Sequence, residues 1–197
     1  ANPSADVYML LGQAHFQLEQ YTQAEKPIKT AIQKYRDQGK TPKENWLLLL
    51  RVIYYETKNY QAMISILKQL IKLYPKEQYL LTLGGVYSEL GDTKKQLAIT
   101  EALYESGRLA DKHHAVNLAN LYLLHGNPYK AAKVLQKEID SKNVESSERN
   151  LRLLSQAWYQ AREDEKAIRP LAMAAALSGD GELFVRLAQS YLSLIHI

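Results

Sequence analysis

An all-α chain is what these residues predict, a right-handed superhelical solenoid of helix-turn-helix repeats with about 11 helices. Three observations carry that expectation. Leu, Ala, Lys, Gln and Glu dominate a chain of 197 residues in which glycine (9) and proline (6) are scarce, so helix propensity is high nearly everywhere. One apolar template returns along the chain at near-constant spacing. Between the two halves of each copy lies a short cluster of turn-forming residues.

Leucine anchors the template. Leu11, Leu50, Leu83, Leu118, Leu154 and Leu187 each precede a position that is usually small, held by Gly12, Arg51, Gly84, Ala119, Ser155 and Ala188. The intervals between these second residues are 39, 33, 35, 36 and 33. Four residues after each leucine stands a large side chain, His15, Tyr54, Tyr87, Tyr122, Trp158 or Tyr191, so leucine and ring share one helix face. Thirteen beyond the leucine, Ala24, Met63, Gln96, Ala131 and Ala167 begin a second stripe, which Ile28, Leu67, Thr100, Leu135 and Leu171 continue four residues on. The clusters "EQYTQ", "TKNYQ", "LGDTK", "HGNPYK" and "REDEK" separate the stripes. Each copy is therefore a helix, a short turn and a second helix.

The elements follow in order. The first repeat covers roughly 5–38, and Thr22 with Glu25 reads as a T-x-x-E capping box for its second helix. Pro27 lies beyond the first turn of that helix, where proline is costly, and should bend it. "DQGKTPKE", residues 37–44, is long for a link and predicts an irregular junction. In the second repeat, 44–76, Arg51 replaces the small residue and Trp46 lies just ahead of its usual place, so packing there should be looser or rotated. The third, 77–110, contains "LLTLGGVYSELGD", with adjacent glycines inside a helix, each costing about 1 kcal/mol relative to alanine. Gly84 falls at the small position where the paired helix approaches. Gly85, one step round, faces the inner surface, where it either leaves room for a partner's backbone or is simply a tolerated exposed glycine. In the fourth repeat, 112–146, Pro128 follows Asn127 at a natural first-helical position. The fifth, 148–180, has Pro170 where the first has Pro27.

A half repeat, 181–197, closes a single array over 1–197. Where the template calls for a polar turn after "RLAQSYLSL", Ile195, His196 and Ile197 follow. A lone first helix would expose its apolar stripe, so the expectation is either a fragment of a longer chain or last residues that are not the natural continuation, with a homodimer covering the terminal helix as the alternative.

This pattern resembles tetratricopeptide repeats, whose period is about 34 residues with a small residue in each helix where the pair closes. The resemblance covers nearly the whole chain. It implies a scaffold for protein segments and leaves the activity open.

Composition narrows the rest. Lys+Arg 25 against Asp+Glu 21 gives a net charge of +4 with the signs mixed, which offers nucleic acid little. With no cysteine there is no disulfide, thiolate site or cysteine nucleophile. No apolar run approaches the about 18 residues a membrane span needs, and "ANPSADVYML" lacks the pattern of a leader, so either the chain is cytosolic or a leader was removed or never included.

Catalytic signatures are thin, and neither enzyme activity nor a cofactor is expected. Gly84, Gly85 and Gly91 follow no strand and precede no Gly-Lys-Ser, which argues against phosphate cradling. His113 and His114 point to different helix faces and His125 stands about three turns away, so solvated or capping histidines are expected rather than a metal site.

Function then falls to the concave wall, supplied largely by the first helix of each repeat. By repeat position it comprises Gln13, Phe16, Gln17, Val52, Tyr55, Gly85, Ser88, Asn120, Leu123, Arg152, Gln156, Tyr159 and Gln189. Amides can pair with a peptide main chain and rings can cover its side chains, so the wall suits an extended peptide in a groove. Repeats that clamp a C-terminal carboxylate present lysines and asparagines at set positions; Asn117 and Asn120 match and the lysines do not, which argues against that subclass. RNA binding would need a basic inner wall, to which only Arg152 and Arg149 contribute.

Three segments carry a narrower likeness: "ENWLLLLRVIYYETKNYQAMISILKQLIKLYPKEQYLLTLGGVYSELGD", "NPYKAAKVLQKEI" and "LAMAAALSGDGE". They are similar to tetratricopeptide proteins associated in Gram-negative bacteria with the TonB, ExbB and ExbD complex. That resemblance implies a periplasmic accessory of TonB-dependent energy transduction and transport, with no residue set assigned to the role. The alternatives are a regulatory or targeting domain of a larger enzyme, or a general chaperone or assembly adaptor, with a cytoplasmic location.

Overall fold

In a computed structural model, residues 3–107, 112–179 and 181–195 are described, side chains of 112, 113 and 193–195 excepted. His196, Ile197 and the side chains of His113 and Ile195 thus lie outside the described set. The expected all-α class holds: the described residues form eleven helices and no strand. They are α1 (Ala5–Gln17), α2 (Tyr21–Asp37), α3 (Glu44–Glu56), α4 (Tyr60–Leu73), α5 (Glu77–Glu89), α6 (Thr93–Glu105), α7 (Lys112–Leu124), α8 (Pro128–Asp140), α9 (Glu148–Gln160), α10 (Asp164–Ser178) and α11 (Gly181–Ile195). None of the described helices is long and apolar enough to cross a membrane.

The chain divides into two compact units, Ala1–Ile99 and Thr100–Ile197. Within the first, α1 to α5 each pack on the next helix in sequence; within the second, α7 to α11 do the same. Only contacts between close sequence neighbours are needed to bury such faces.

The turn inside each hairpin has one backbone solution, repeated five times. Glu19, Lys58, Gly91, Gly126 and Arg162 adopt positive φ of 58°, 54°, 69°, 70° and 63°. Their spacing reproduces the leucine intervals. In every case the next residue's amide donates to the carbonyl of the template ring residue, His15, Tyr54, Tyr87, Tyr122 or Trp158, at 2.8–3.0 Å. This is the Schellman arrangement, which satisfies carbonyls the helix end would otherwise orphan. Glycine adopts that backbone freely, whereas a side chain there costs about 1 kcal/mol. Lys58→Gly is therefore expected to raise stability by about 1 kcal/mol, read as an increase in the urea midpoint; a decrease would mean the Lys58 side chain contributes more than its backbone costs.

That turn also decides where α2 begins. Its N-cap is Gln20 and no side chain caps it, so Thr22 falls inside the helix and the expected Thr22–Glu25 box does not form. Glu25 instead accepts from the Tyr54 hydroxyl at 3.1 Å and from Lys29 at 3.3 Å. Pro128 does occupy the first turn of α8, after N-cap Asn127. Pro27 and Pro170 lie buried inside α2 and α10.

The junction between the first two hairpins is more regular than expected. The extra length goes into α2, 17 residues against 13 for α1, and the link of residues 38–43 is no longer than that of 141–147. The Tyr74 hydroxyl donates to the carbonyl of buried Pro42 at 2.7 Å, and Tyr35 meets Trp46 edge-on at 4.9 Å. Trp46 is 3% exposed, so it packs fully despite its displaced register. Arg51, in the small position, is half-buried with its Nε unpartnered.

Core packing follows the template with two corrections. Leu50, Leu83, Leu118 and Leu154 are buried as expected, but Leu11 is 49% exposed, since among the described residues no further helix covers that face of α1. The second correction concerns the glycines. A Cβ on Gly12 would sit 2.3 Å from Ile28 Cγ1 and 3.3 Å from the Ala24 carbonyl oxygen, so close approach requires glycine there. At Gly84 the nearest contact would be Ile99 Cγ2 at 3.6 Å, ordinary van der Waals distance, so alanine would fit. On α11 the apolar stripe is open: Leu183 is buried, while Phe184, Val185, Tyr191 and Leu192 are exposed.

Polar ties recur beside this core. Lys95, Lys130 and Lys166, each eight residues after its ring, place Nζ 5.1, 5.5 and 5.0 Å from the ring centroids of Tyr87, Tyr122 and Trp158. Such cation–π contacts contribute about 0.5–1 kcal/mol each at exposed sites. Tyr122 and Lys130 both donate to Glu101 at 2.7 Å, holding its carboxyl below the usual range, Lys130 foremost. Tyr104 and Asn143 donate to buried Glu138 at 2.7 and 2.9 Å. Burial, with the neighbouring carboxylate, pushes the Tyr54, Tyr104 and Tyr122 phenols up.

Candidate partner-binding surface

The residues expected on the inner wall all stand on the first helices of the hairpins, where Gln13, Phe16, Val52 and Leu123 are half-buried and the others exposed. In the first unit, Gln13, Phe16 and Gln17 stand on α1, Val52 and Tyr55 on α3, and Gly85 and Ser88 on α5. Tyr55 is 59% exposed; Gln17, Gly85 and Ser88 are exposed too. A Cβ added at Gly85 would meet nothing within 4 Å. Phe16 is half-buried against the edge of Tyr21, 5.6 Å between centroids. A separate depression of about 320 Å³ in this unit is lined by other residues, among them Gln33, Arg36, Ser65 and Gln69 of α2 and α4.

The second unit gathers its share more closely. A cavity of about 400 Å³ opens between α9, α10 and α11, lined by Arg152, Ser155, Gln156, Tyr159, Ala167, Leu171, Leu183, Arg186, Gln189 and Ser190. Four of these, Arg152, Gln156, Tyr159 and Gln189, are residues the repeat register assigned to the wall. A second depression of about 290 Å³, between α7 and α9, is lined by Val116, Asn120, Glu148, Arg149, Arg152, Leu153 and Gln156. Leu123 lines neither. The Asn120 amide is turned onto the Val116 carbonyl at 3.0 Å.

Local structure explains the cavity. Ser155, at the small template position, is buried and donates to the Ala167 carbonyl at 2.8 Å, closing α9 on α10. Leu183 then packs with Leu151, Ala174 and Ala175, bringing the start of α11 against that hairpin. The floor is aliphatic and the rim carries two guanidiniums. Arg152 pairs with Glu148 at 3.0 Å and Arg186 with Glu182 at 2.7 Å, both one helical turn apart and solvent-exposed. Exposed pairs of this kind are worth about 0–1 kcal/mol, so a better-placed carboxylate can exchange into either. Among the described residues no three of His, Asp and Glu gather as metal ligands. His114 Nδ1 and His125 Nε2 are buried without partners.

Arg186, Leu171 and Leu183 were not among the expected wall residues. In the repeat frame Arg186 stands one position later than Arg152, so a fixed template steps past it. Its spacing of three from Gln189 on one helix face was the available signal.

Hairpins of paired helices repeated along the chain define a class, the helical-repeat proteins. More particularly, the family model for the tetratricopeptide repeat matches residues 5–33 and 44–77, the hairpins α1–α2 and α3–α4. Over those segments the chain is similar to tetratricopeptide repeats. Among curated protein sequences no match is found. Solved structures share the fold. MamA of strain AMB-1 is 16% identical with a TM-score of 0.59, over 92% of this chain and 96% of that one. MamA from Desulfovibrio magneticus RS-1, residue 41 to its end, is 16% identical with a TM-score of 0.53, over 88% and 94%. YrrB, described as a TPR protein with an unusual peptide-binding site, is 12% identical with a TM-score of 0.57, over 92% and 90%.

Proposed function

We propose that this chain is a non-catalytic scaffold that holds an extended segment of a protein partner on the open faces of its first helices. One observation carries the reading: α9 and α11 bring Arg152, Gln156, Tyr159 and Gln189 to one cavity with an aliphatic floor. Exposed Tyr55 on α3 offers the same kind of surface in the first unit. Rings cover apolar side chains and amides pair with peptide groups, which is what an extended segment needs. The peptide-binding site named for YrrB lends support by fold alone.

The same reading makes the chain a periplasmic accessory of TonB-dependent energy transduction. Its support is the resemblance of residues 44–92, 127–139 and 171–182 to tetratricopeptide proteins of the TonB, ExbB and ExbD system. The test is capture of partners from periplasm with the intact protein and with a Tyr55→Ala, Tyr159→Ala variant of unchanged helicity. Loss of the wild-type partner in the variant is expected; retention would move the site elsewhere. A captured TonB-system component favours the periplasmic role, and an enzyme or a nascent assembly favours the alternatives.

A further inference from the structure

We propose that the two depressions of the second unit form one track for an internal acidic segment in which carboxylate and aliphatic side chains alternate. The inference rests on the scaffold reading and names the chemistry of its partner.

Continuity is the first argument. Arg152 and Gln156 line both depressions, so a chain seated in one can cross α9 into the other. A terminal carboxylate would end at the first and leave the second empty. Charge is the second. Across the two linings stand three arginines, Arg149, Arg152 and Arg186, against one carboxylate, Glu148. Guanidinium recognises carboxylate through paired, charge-assisted hydrogen bonds, and the exposed intrahelical partners of Arg152 and Arg186 hold them only weakly. A basic segment would meet three like charges.

The third argument is the apolar share. Leu171 and Leu183 line one depression, Val116 and Leu153 the other, so each cation has aliphatic surface beside it. An extended chain rises about 3.3 Å per residue and turns successive side chains to opposite sides. Alternating acidic and aliphatic residues then reach the rim and the floor in turn, while Gln156 and Gln189 remain for the main chain.

The test is isothermal titration calorimetry of the full chain with a synthetic peptide of alternating Glu and Leu, blocked at both ends. Matched peptides carry Gln or Lys in place of Glu, and one acidic peptide keeps a free C-terminus. The blocked acidic peptide is expected to bind about tenfold more tightly than the Gln peptide, and the Lys peptide not at all. Arg152→Gln with Arg186→Gln should erase the acidic advantage, leave the Gln peptide unaffected and keep the thermal melt, since both side chains are exposed. Equal binding of Glu and Gln peptides that Tyr159→Ala abolishes would overturn the acidic preference and leave the scaffold reading standing. Binding only with a free C-terminus would overturn the internal track in favour of an end-capturing site. No binding by any peptide overturns the proposal, and the capture experiment on Tyr55 and Tyr159 then decides the scaffold reading independently.

Discussion

Leu50→Ala is expected to cost about 2–5 kcal/mol of stability, while Leu11→Ala costs under about 1 kcal/mol, although both leucines hold the same place in the repeat. Leu50 is 2% exposed in a core with Leu47, Ile53 and Leu67, and truncating it removes contacts on every side and leaves a void. Leu11 sits on the outer face of α1 with half its surface already in water. Urea unfolding followed by circular dichroism measures both. Equal losses would mean that the outer face of α1 is covered in solution, and the template would then apply to it as well.

Gly12→Ala should be destabilising, by about 1–3 kcal/mol from overpacking less the about 1 kcal/mol that alanine gains in helix propensity. The new Cβ would fall 2.3 Å from Ile28 Cγ1. Ile28 is fully buried and β-branched, with few rotamers to move into, and the Ala24 carbonyl blocks retreat on another side. The matched change Gly84→Ala meets only ordinary contact and should stabilise by about 0.5–1 kcal/mol. Opposite signs at two positions of one template separate packing from propensity. A stabilised Gly12→Ala would show that α1 and α2 can part without cost.

The fold was legible because its determinants are local. Period, turn chemistry and helix propensity each act within one hairpin, and helix limits followed from them. What escaped depends on neighbours. Periodicity marks Leu11 as apolar but does not say whether a helix lies against it. Thr22 and Glu25 have capping-box spacing, yet the left-handed turn at Glu19 starts α2 at Tyr21 and frees Glu25 for Tyr54. At the surface, Arg152, Gln156, Tyr159 and Gln189 were legible because repeat position sets which way a first-helix side chain faces. Arg186 and the aliphatic floor were not, since they enter through a one-residue offset and through α10.

The chain has two tryptophans, and they are divided evenly: Trp46 in the first unit, 3% exposed, and Trp158 in the second, 4% exposed. Each half thus carries its own buried fluorophore, whose emission shifts to the red once water reaches it. Exchanging either indole for phenylalanine leaves a spectrum that reports the other half alone. Whether the two halves melt as one cooperative body or in succession can then be read by light, with no label added.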